Sequence, residues 1–330
     1  MAERPPRRIS QSEVRTFKTC RRQWYLGWIE GYTMRPEHRA ATGVAQLGTN
    51  VHTALEAYYG YDLDPLAVLA WIYNGLRADR PEAEKDLNSE QSYASTMVEG
   101  YLQWASENGT DQEFEVIGTE RLMSVPMVVE YPYQDGLIES TAVVLTGRID
   151  QTIRQRDGSG RAYIRDWKTV GDLSKADALQ RDEQMRWYDL LYWLASQADD
   201  DVQLMSGVYY TMLKRSKRTM RARPPFYDAV FIHYTAADRR SMLLRTRRVL
   251  GELLLIEDEL RNGADHLAVA YPHPEETGHC RYCPFKEVCA LADDGSRFDD
   301  ALNGVYVKAD PYAYQSNDAI TKVRHALGSG

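Results

Sequence analysis

Long apolar runs are missing from this sequence. No stretch approaches the roughly 20 apolar residues that a bilayer-spanning helix needs, and no N-terminal apolar run follows a basic region. That pattern predicts a cytoplasmic protein with no membrane partner. Cysteine is scarce, at four in 330 residues, and in a reducing cytosol disulfides rank last among its uses. Internal repeats and low-complexity linkers are absent too, so one elaborated domain is the simplest organisation, and 43% apolar content can fill its core. Positive charge is not in excess: 40 Lys and Arg against 48 Asp and Glu give a net charge of −8, which argues against a uniformly basic coat for nucleic acid. A local basic path is compatible with that balance. Lys214, Arg215, Lys217, Arg218, Arg221 and Arg223 follow one another with no acid among them, and Arg239, Arg240, Arg245, Arg247 and Arg248 come soon after. Such a segment either follows a phosphate backbone or forms a solvated loop and a charged helix face.

The cysteines that are present fall at two places. Cys20 stands alone near the start, and Cys280, Cys283 and Cys289 form a C-x2-C-x5-C cluster near the end. Four thiolates make a complete tetrahedral set for Zn²⁺ or for an iron–sulfur cluster, which would tie the first helix to the far end of the domain. Four unrelated core cysteines would suit Cys20 alone, but not two short spacings flanked by Gly278, His279, Pro284 and Lys286.

Ser10 to Glu13 reads as a capping box that opens a helix through Tyr25, with Cys20 inside it. The breaker-rich stretch from Gly43 to Gly48 leads into a helix from Asn50 to Tyr59 with His52 in its first turn, Asp64 caps another to Ala78, and a fourth spans Asn88 to Asn108. The period then changes: β-branched residues dominate from Glu113 to Val129 and from Thr141 to Gln155. Arg156-Asp-Gly-Ser-Gly160 turns the second run into a third, Arg161 to Val170. A helix from Lys175 to Gln197, strands near 203–213 and 226–233, and a helix from Ala236 to Asn262 complete the pattern. A mixed sheet wrapped by helices is the economical architecture. The boundaries are a helical section at 1–110, a core at 111–265, the cysteine cluster at 266–293 and an extension at 294–330, together one integrated domain.

The hairpin carries the most suggestive acids. Alternation along a strand puts Asp166 and Lys168 on one face and Trp167 on the other. If Asp150 of the preceding strand lies across from them, two carboxylates and an ammonium converge, an arrangement suited to a hard divalent cation and a metal-activated water. The ordinary alternative is a cross-strand ion pair. His52 would complete a coordination sphere or simply end a helix, and Gln184 and Tyr188 lie one turn apart on one helix face, where packing alone would also put them.

Taken in order, these motifs resemble the PD-(D/E)XK nuclease superfamily, in its RecB-like exonuclease branch with an iron–sulfur cluster. The similarity runs from Ser10 to Cys289: the lone Cys20, G-x-x-x-H (Gly48, His52), G-x-x-D (Gly147, Asp150), D-x-K (Asp166, Lys168), Q-x-x-x-Y (Gln184, Tyr188) and C-x2-C-x5-C. The layout is similar to the CRISPR-associated RecB-like nuclease, the AddB nuclease domain and the eukaryotic Okazaki-fragment nuclease-helicase. No Walker A motif accompanies it, so the resemblance implies a free-standing nuclease.

The implied fold is α/β: a restriction-endonuclease-like mixed central sheet flanked by helices, with a helical N-terminal section and a C-terminal iron–sulfur subdomain. By the same resemblance His52, Asp150 and Asp166 bind Mg²⁺ or Mn²⁺ with the Trp167 backbone carbonyl, Lys168 assists the attacking water, and Gln184 and Tyr188 position the DNA strand or the lysine. It favours [4Fe–4S] over zinc at Cys20, Cys280, Cys283 and Cys289, in a structural role. Lys214, Arg215, Lys217, Arg218 and Arg221 become candidate DNA contacts. Asp166 stands where some relatives carry Glu, which leaves one-metal or two-metal occupancy open, and Glu120 on the preceding strand is a further acid that no motif supports. The implied activity is metal-dependent exonucleolytic cleavage of single-stranded DNA or duplex ends, in phage or bacterial recombination, repair or CRISPR spacer processing. A recombinase, annealing protein or CRISPR integrase is the implied protein partner. A catalytically silent DNA-binding or scaffolding subunit is one alternative, against which the intact Asp150, Asp166 and Lys168 set argues; a zinc-stabilised interaction protein is another, which would make that acid–lysine set accidental.

Overall fold

The Ser10 hydroxyl accepts the backbone N–H of Glu13 at 3.3 Å, so the predicted capping box starts helix α1 (Gln11–Thr19) directly after strand β1 (Arg7–Ser10). The computed structural model describes residues 6–133, 137–219, 221–273, 278–315 and 318–327. The helix expected to reach Tyr25 instead breaks at Cys20, which is extended (φ −158°, ψ 112°). It restarts as α2 (Arg21–Trp24) and continues into a π-helical turn, Tyr25–Ile29. A new helix start leaves backbone N–H groups without helical acceptors, and the Cys20 sulfur takes one of them, from Gln23 at 3.5 Å.

Helix α3 (Val44–Tyr61) begins before its expected start at Asn50, so His52 sits well inside it rather than in its first turn. Helix α4 (Pro65–Asp79) follows with Pro65 at its first position and Asp64 as cap, accepting from Leu66 N–H at 2.9 Å. With α5 (Glu84–Glu107) these helices bury Val51, Leu55, Leu69, Tyr73, Met97 and Tyr101 in one apolar core that also takes in Trp167. A short turn, α6 (Thr110–Glu113), leads into the sheet.

Strand β2 (Tyr32–Met34) pairs antiparallel with the late strand β8 (Tyr306–Lys308) in a small sheet of their own. The central sheet contains β1, β3 (Phe114–Pro132), β4 (Ile138–Gln155), β5 (Ala162–Val170), β6 (Gly207–Lys214) and β7 (Tyr227–His233). Its order is β1-β4-β5-β6-β7, with β3 also on β4. The β1–β4 and β5–β6 pairs are parallel while β4–β5 and β6–β7 are antiparallel, so the sheet is mixed. Parallel β5 and β6 require a crossover, supplied by α7 (Ala176–Leu179) and α8 (Glu183–Ser196). The single helix expected from Lys175 to Gln197 is interrupted because Asp182 starts a new one. After β7 come α9 (Ala236–Arg261), α10 (His266–Val269), α11 (Gly278–Arg281), α12 (Lys286–Asp294), α13 (Phe298–Val305), β8 and α14 (Asp318–Leu327). The protein is thus a mixed α/β fold with a central mixed sheet flanked by helices. No helix among the described residues is long and apolar enough to cross a membrane.

Two compact units share the chain. One comprises Met1–Arg39, Ser124–Gly147 and Arg240–Ser316, and holds all four cysteines. The other comprises Ala40–Met123, Arg148–Arg239 and Asn317–Gly330, and holds His52, Asp150, Asp166, Lys168, Gln184 and Tyr188.

Candidate active site

The β4–β5 register pairs Gln151 with Arg165 and Thr152 with Ile164, and Asp150 and Asp166, the residues just beyond its last pair, lie close enough to repel each other. Asp166 and Lys168 share a face, with Lys168 Nζ 3.0 Å from Asp166 Oδ2. The reverse face of β5 is a rigid backing. Trp167 stacks on Tyr59 at 5.4 Å and donates its indole N–H to the Tyr101 hydroxyl at 3.2 Å. Arg165, 1% exposed, lies 4.5 Å over the Tyr59 ring and bonds the same hydroxyl at 2.6 Å. A buried guanidinium held by aromatic faces and a phenol fixes the strand that carries the two acidic-face residues.

Gly48 explains its own spacing to His52. A Cβ at Gly48 would meet Thr169 Oγ1 at 3.2 Å, so glycine lets α3 come close to β5 beside Lys168. One turn later His52 Nδ1 reaches Asp150 Oδ2 at 3.0 Å. From the other side of the lysine, α8 contributes Gln184, whose Oε1 accepts from Lys168 Nζ at 3.4 Å and whose Nε2 donates to the Tyr188 hydroxyl at 3.1 Å. Asp182 adds a second carboxylate 3.4 Å from Lys168 Nζ. The six residues singled out from the sequence therefore fall into two bonded groups, His52 with Asp150 and Asp166 with Lys168, Gln184 and Tyr188, close enough for their charges to act on one another.

Its electrostatics are those of opposed charges partly withdrawn from water. Burial would lower the His52 pKa, but the hydrogen bond and charge of Asp150 carry it above the ordinary histidine value. Burial pushes Asp150 up, and His52 outweighs that and holds it below the usual carboxylate range. At Asp166 burial prevails over the Lys168 charge, helped by repulsion from Asp150, and the carboxyl is raised. Burial opposes the charged form of Lys168, yet Asp166 and Asp182 raise it.

Four neighbours, Arg148, Glu56, Glu120 and Asp182, carried little or no signal in the sequence. Arg148, two residues before Asp150 on β4, forms an ion pair with Glu120, and its Nη2 lies 3.7 Å from Glu56 Oε1. Glu56 lies one helical turn beyond His52, so the i, i+4 spacing on α3 was the available signal. Glu120 has a left-handed backbone (φ 51°) inside β3, and its carboxylate faces Arg148. It is an ion-pair partner beside the Asp150–Asp166 group. Asp182 fell inside the helix expected from Lys175 to Gln197, so its cap was not anticipated.

A family model for the PD-(D/E)XK nuclease superfamily matches residues 8–290. The chain belongs to the PD-(D/E)XK nuclease superfamily. Members are generally nucleases that use Mg²⁺ or Mn²⁺. No curated protein matches the chain. A solved structure described as "Crystal structure of SSO0001" is 15% identical over 73% of this chain and 83% of that one, with a TM-score of 0.27, too low to support an argument.

The donor set of this PD-(D/E)XK protein fits a hard divalent cation. Asp166 Oδ2 is buried and has no hydrogen-bond partner of good geometry, and two carboxylates with an imidazole are oxygen-rich ligands of the right kind. Among the described residues, no three or more His, Cys, Asp or Glu side chains are already spaced to grip one ion. His52 and Asp150 are engaged with each other, and Asp166 with Lys168.

The basic run divides into exposed and packed side chains. Lys217 and Arg221, in the β6–β7 loop, are exposed. Arg215 donates its backbone N–H to Val170 at 2.7 Å, which ties that loop to the end of β5. Arg218 lies 3.4 Å over the Phe226 ring and donates to the Tyr227 hydroxyl at 2.7 Å, so much of it is committed to packing. Lys214, at the end of β6, is half-buried. Arg239, read as part of a second basic stretch, is 8% exposed and clasps Asp189 through two bonds of 2.9 Å. It is a core ion pair, unavailable to a phosphate.

All four cysteines of this superfamily member are free thiols. Burial pushes Cys283 up to about 11, and Cys20, Cys289 and Cys280 are near enough to add to the shift. Arg22, 3% exposed, donates to the Cys289 carbonyl at 3.1 Å and approaches its sulfur at 3.8 Å, with Asp293 2.8 Å from its other arm. The four sulfurs are soft donors of the kind that zinc or an iron–sulfur cluster takes, but among the described residues they are not spaced to grip one ion.

Proposed function

We propose that this protein is a metal-dependent DNA exonuclease of the RecB-like iron–sulfur branch, cutting single strands or duplex ends. The observation that supports this best is the gathering of His52, Asp150, Asp166, Lys168, Gln184 and Tyr188 from two helices and two strands into one cluster. His52, Asp150 and Asp166, with the Trp167 carbonyl, would hold Mg²⁺ or Mn²⁺. When bound, a divalent cation supplies charge neutralisation at the phosphodiester and a more acidic water. Lys168 adds a fixed positive charge that orients the attacking water and stabilises the phosphorane-like transition state. Gln184 keeps the ammonium oriented, and Tyr188 keeps Gln184 oriented. Lys214, Arg215, Lys217, Arg218 and Arg221 would lead the DNA backbone toward β5, with the exposed Lys217 and Arg221 making the strongest phosphate contacts.

The four cysteines would hold a [4Fe–4S] cluster that fastens the first helical segment to α11 and α12. The setting would be recombination, repair or CRISPR spacer processing, alongside a recombinase, annealing protein or CRISPR integrase. The test is digestion of linear and circular DNA, single- and double-stranded, with Mg²⁺ or Mn²⁺. The wild type is expected to degrade linear DNA and spare closed circles, and Asp166→Ala and Lys168→Ala to lose activity by about 10²–10⁴-fold. Equal cutting by both variants would sink the site assignment. No cutting by anaerobically purified wild type would leave a silent DNA-binding subunit, and cleavage of circles would make the enzyme an endonuclease.

A further inference from the structure

Lys168 is gripped from two elements, and only one grip belongs to the D-x-K motif. Asp166 approaches Nζ along the strand at 3.0 Å. Asp182 approaches from the start of α8, where it performs two tasks with its two oxygens. Oδ1 accepts the backbone N–H of Gln184 at 2.9 Å and so caps the helix, while Oδ2 lies 3.4 Å from Nζ. The residue whose N–H is capped, Gln184, turns its own side-chain oxygen to the same ammonium at 3.4 Å. A carboxylate with one oxygen fastened to the backbone presents the other in a defined direction, which is how a supporting residue locks a working one.

Capping by itself does not call for a carboxylate, since asparagine and serine cap equally well. A negative charge here is also unfavourable toward an anionic substrate. Its compensation is the ammonium. Asp166 cannot supply all of the positioning, because the same carboxylate is needed as a cation ligand.

We propose that Asp182 is a positioning residue that holds the Lys168 ammonium in its working place independently of Asp166, making the α8 N-terminus and the D-x-K strand one unit. The inference rests on the nuclease reading above. Its test is Asp182→Asn, which keeps the cap and removes the charge, with Asp182→Ser as a second cap-retaining variant. Both are expected to melt like the wild type while kcat on linear DNA falls about 10- to 100-fold and KM stays unchanged or decreases. Amine-selective labelling followed by mass spectrometry gives a readout without turnover: Lys168 is expected to react several-fold faster in Asp182→Asn. Wild-type kcat and labelling in both variants would overturn the proposal. So would a loss of kcat matched by a lower melting temperature, because the residue would then be a cap only. A wild type that does not cut DNA removes the nuclease reading and the proposal together, whereas equal cutting by wild type and Asp182→Asn removes the proposal alone.

Discussion

Gln184 stands between two groups, accepting from Lys168 at 3.4 Å and donating to Tyr188 at 3.1 Å. Tyr188 therefore acts on the lysine only through the amide, and the two positions should not add. Tyr188→Phe is expected to slow cleavage several-fold. Gln184→Ala should slow it more, and the double variant should be no slower than Gln184→Ala alone, as residues in series behave in a mutant cycle. Additive losses in the steady-state kinetics would show that Tyr188 has a separate contact with substrate. The Gln184–Tyr188 contact was legible because i, i+4 spacing on a helix is a local rule. Asp182 was not, because nothing in the sequence ties the residue before α8 to a lysine on β5.

Helix ends show what a short motif can and cannot say. Thr235 and Asp238 form a reciprocal box at the start of α9: Thr235 N–H and hydroxyl both donate to Asp238 Oδ2, at 2.9 and 2.7 Å, and Asp238 N–H donates to the Thr235 hydroxyl at 3.2 Å. Those bonds lower the Asp238 pKa. A depressed carboxylate stabilises the fold above its unfolded value and loses that contribution as pH falls through the folded one. Thr235→Ala is expected to cost about 1 kcal/mol at neutral pH, and the gap from wild type, followed by urea melts, should narrow on acidification. A gap that widens in acid would contradict the box. The same grammar found the Ser10 and Asp64 caps. It missed the break at Cys20, because an extended residue in an otherwise helical pattern is held by long-range contacts such as Arg22 on Cys289.

At the scale of the molecule, residues far apart in the chain are gathered by unit. The first unit joins the N-terminal stretch to the C-terminal cysteines, and the second holds the acid–lysine constellation. If the cysteines share one cluster, Cys20→Ala and Cys289→Ala should be equivalent: each should abolish the visible iron–sulfur absorption of anaerobically purified protein and lower its melting temperature by a similar amount. Retained colour in Cys20→Ala would exclude Cys20 as a ligand, and a colourless, zinc-loaded wild type would replace the cluster with a zinc centre.

By itself the sequence determined what depends on neighbours within a turn or a pleat. That covers the alternation that parts Asp166 and Lys168 from Trp167, the helix spacing of Gln184 and Tyr188, the caps, and the cysteine spacings. Only the tertiary structure decided which charges meet. His52 and Asp150, 98 residues apart, are joined by the packing of α3 on the hairpin that Gly48 permits. Arg239, indistinguishable in sequence from its basic neighbours, is drawn inward by Asp189. Side-chain periodicity is local, whereas the partner of a charge is set by whatever the fold brings within a few ångströms of it.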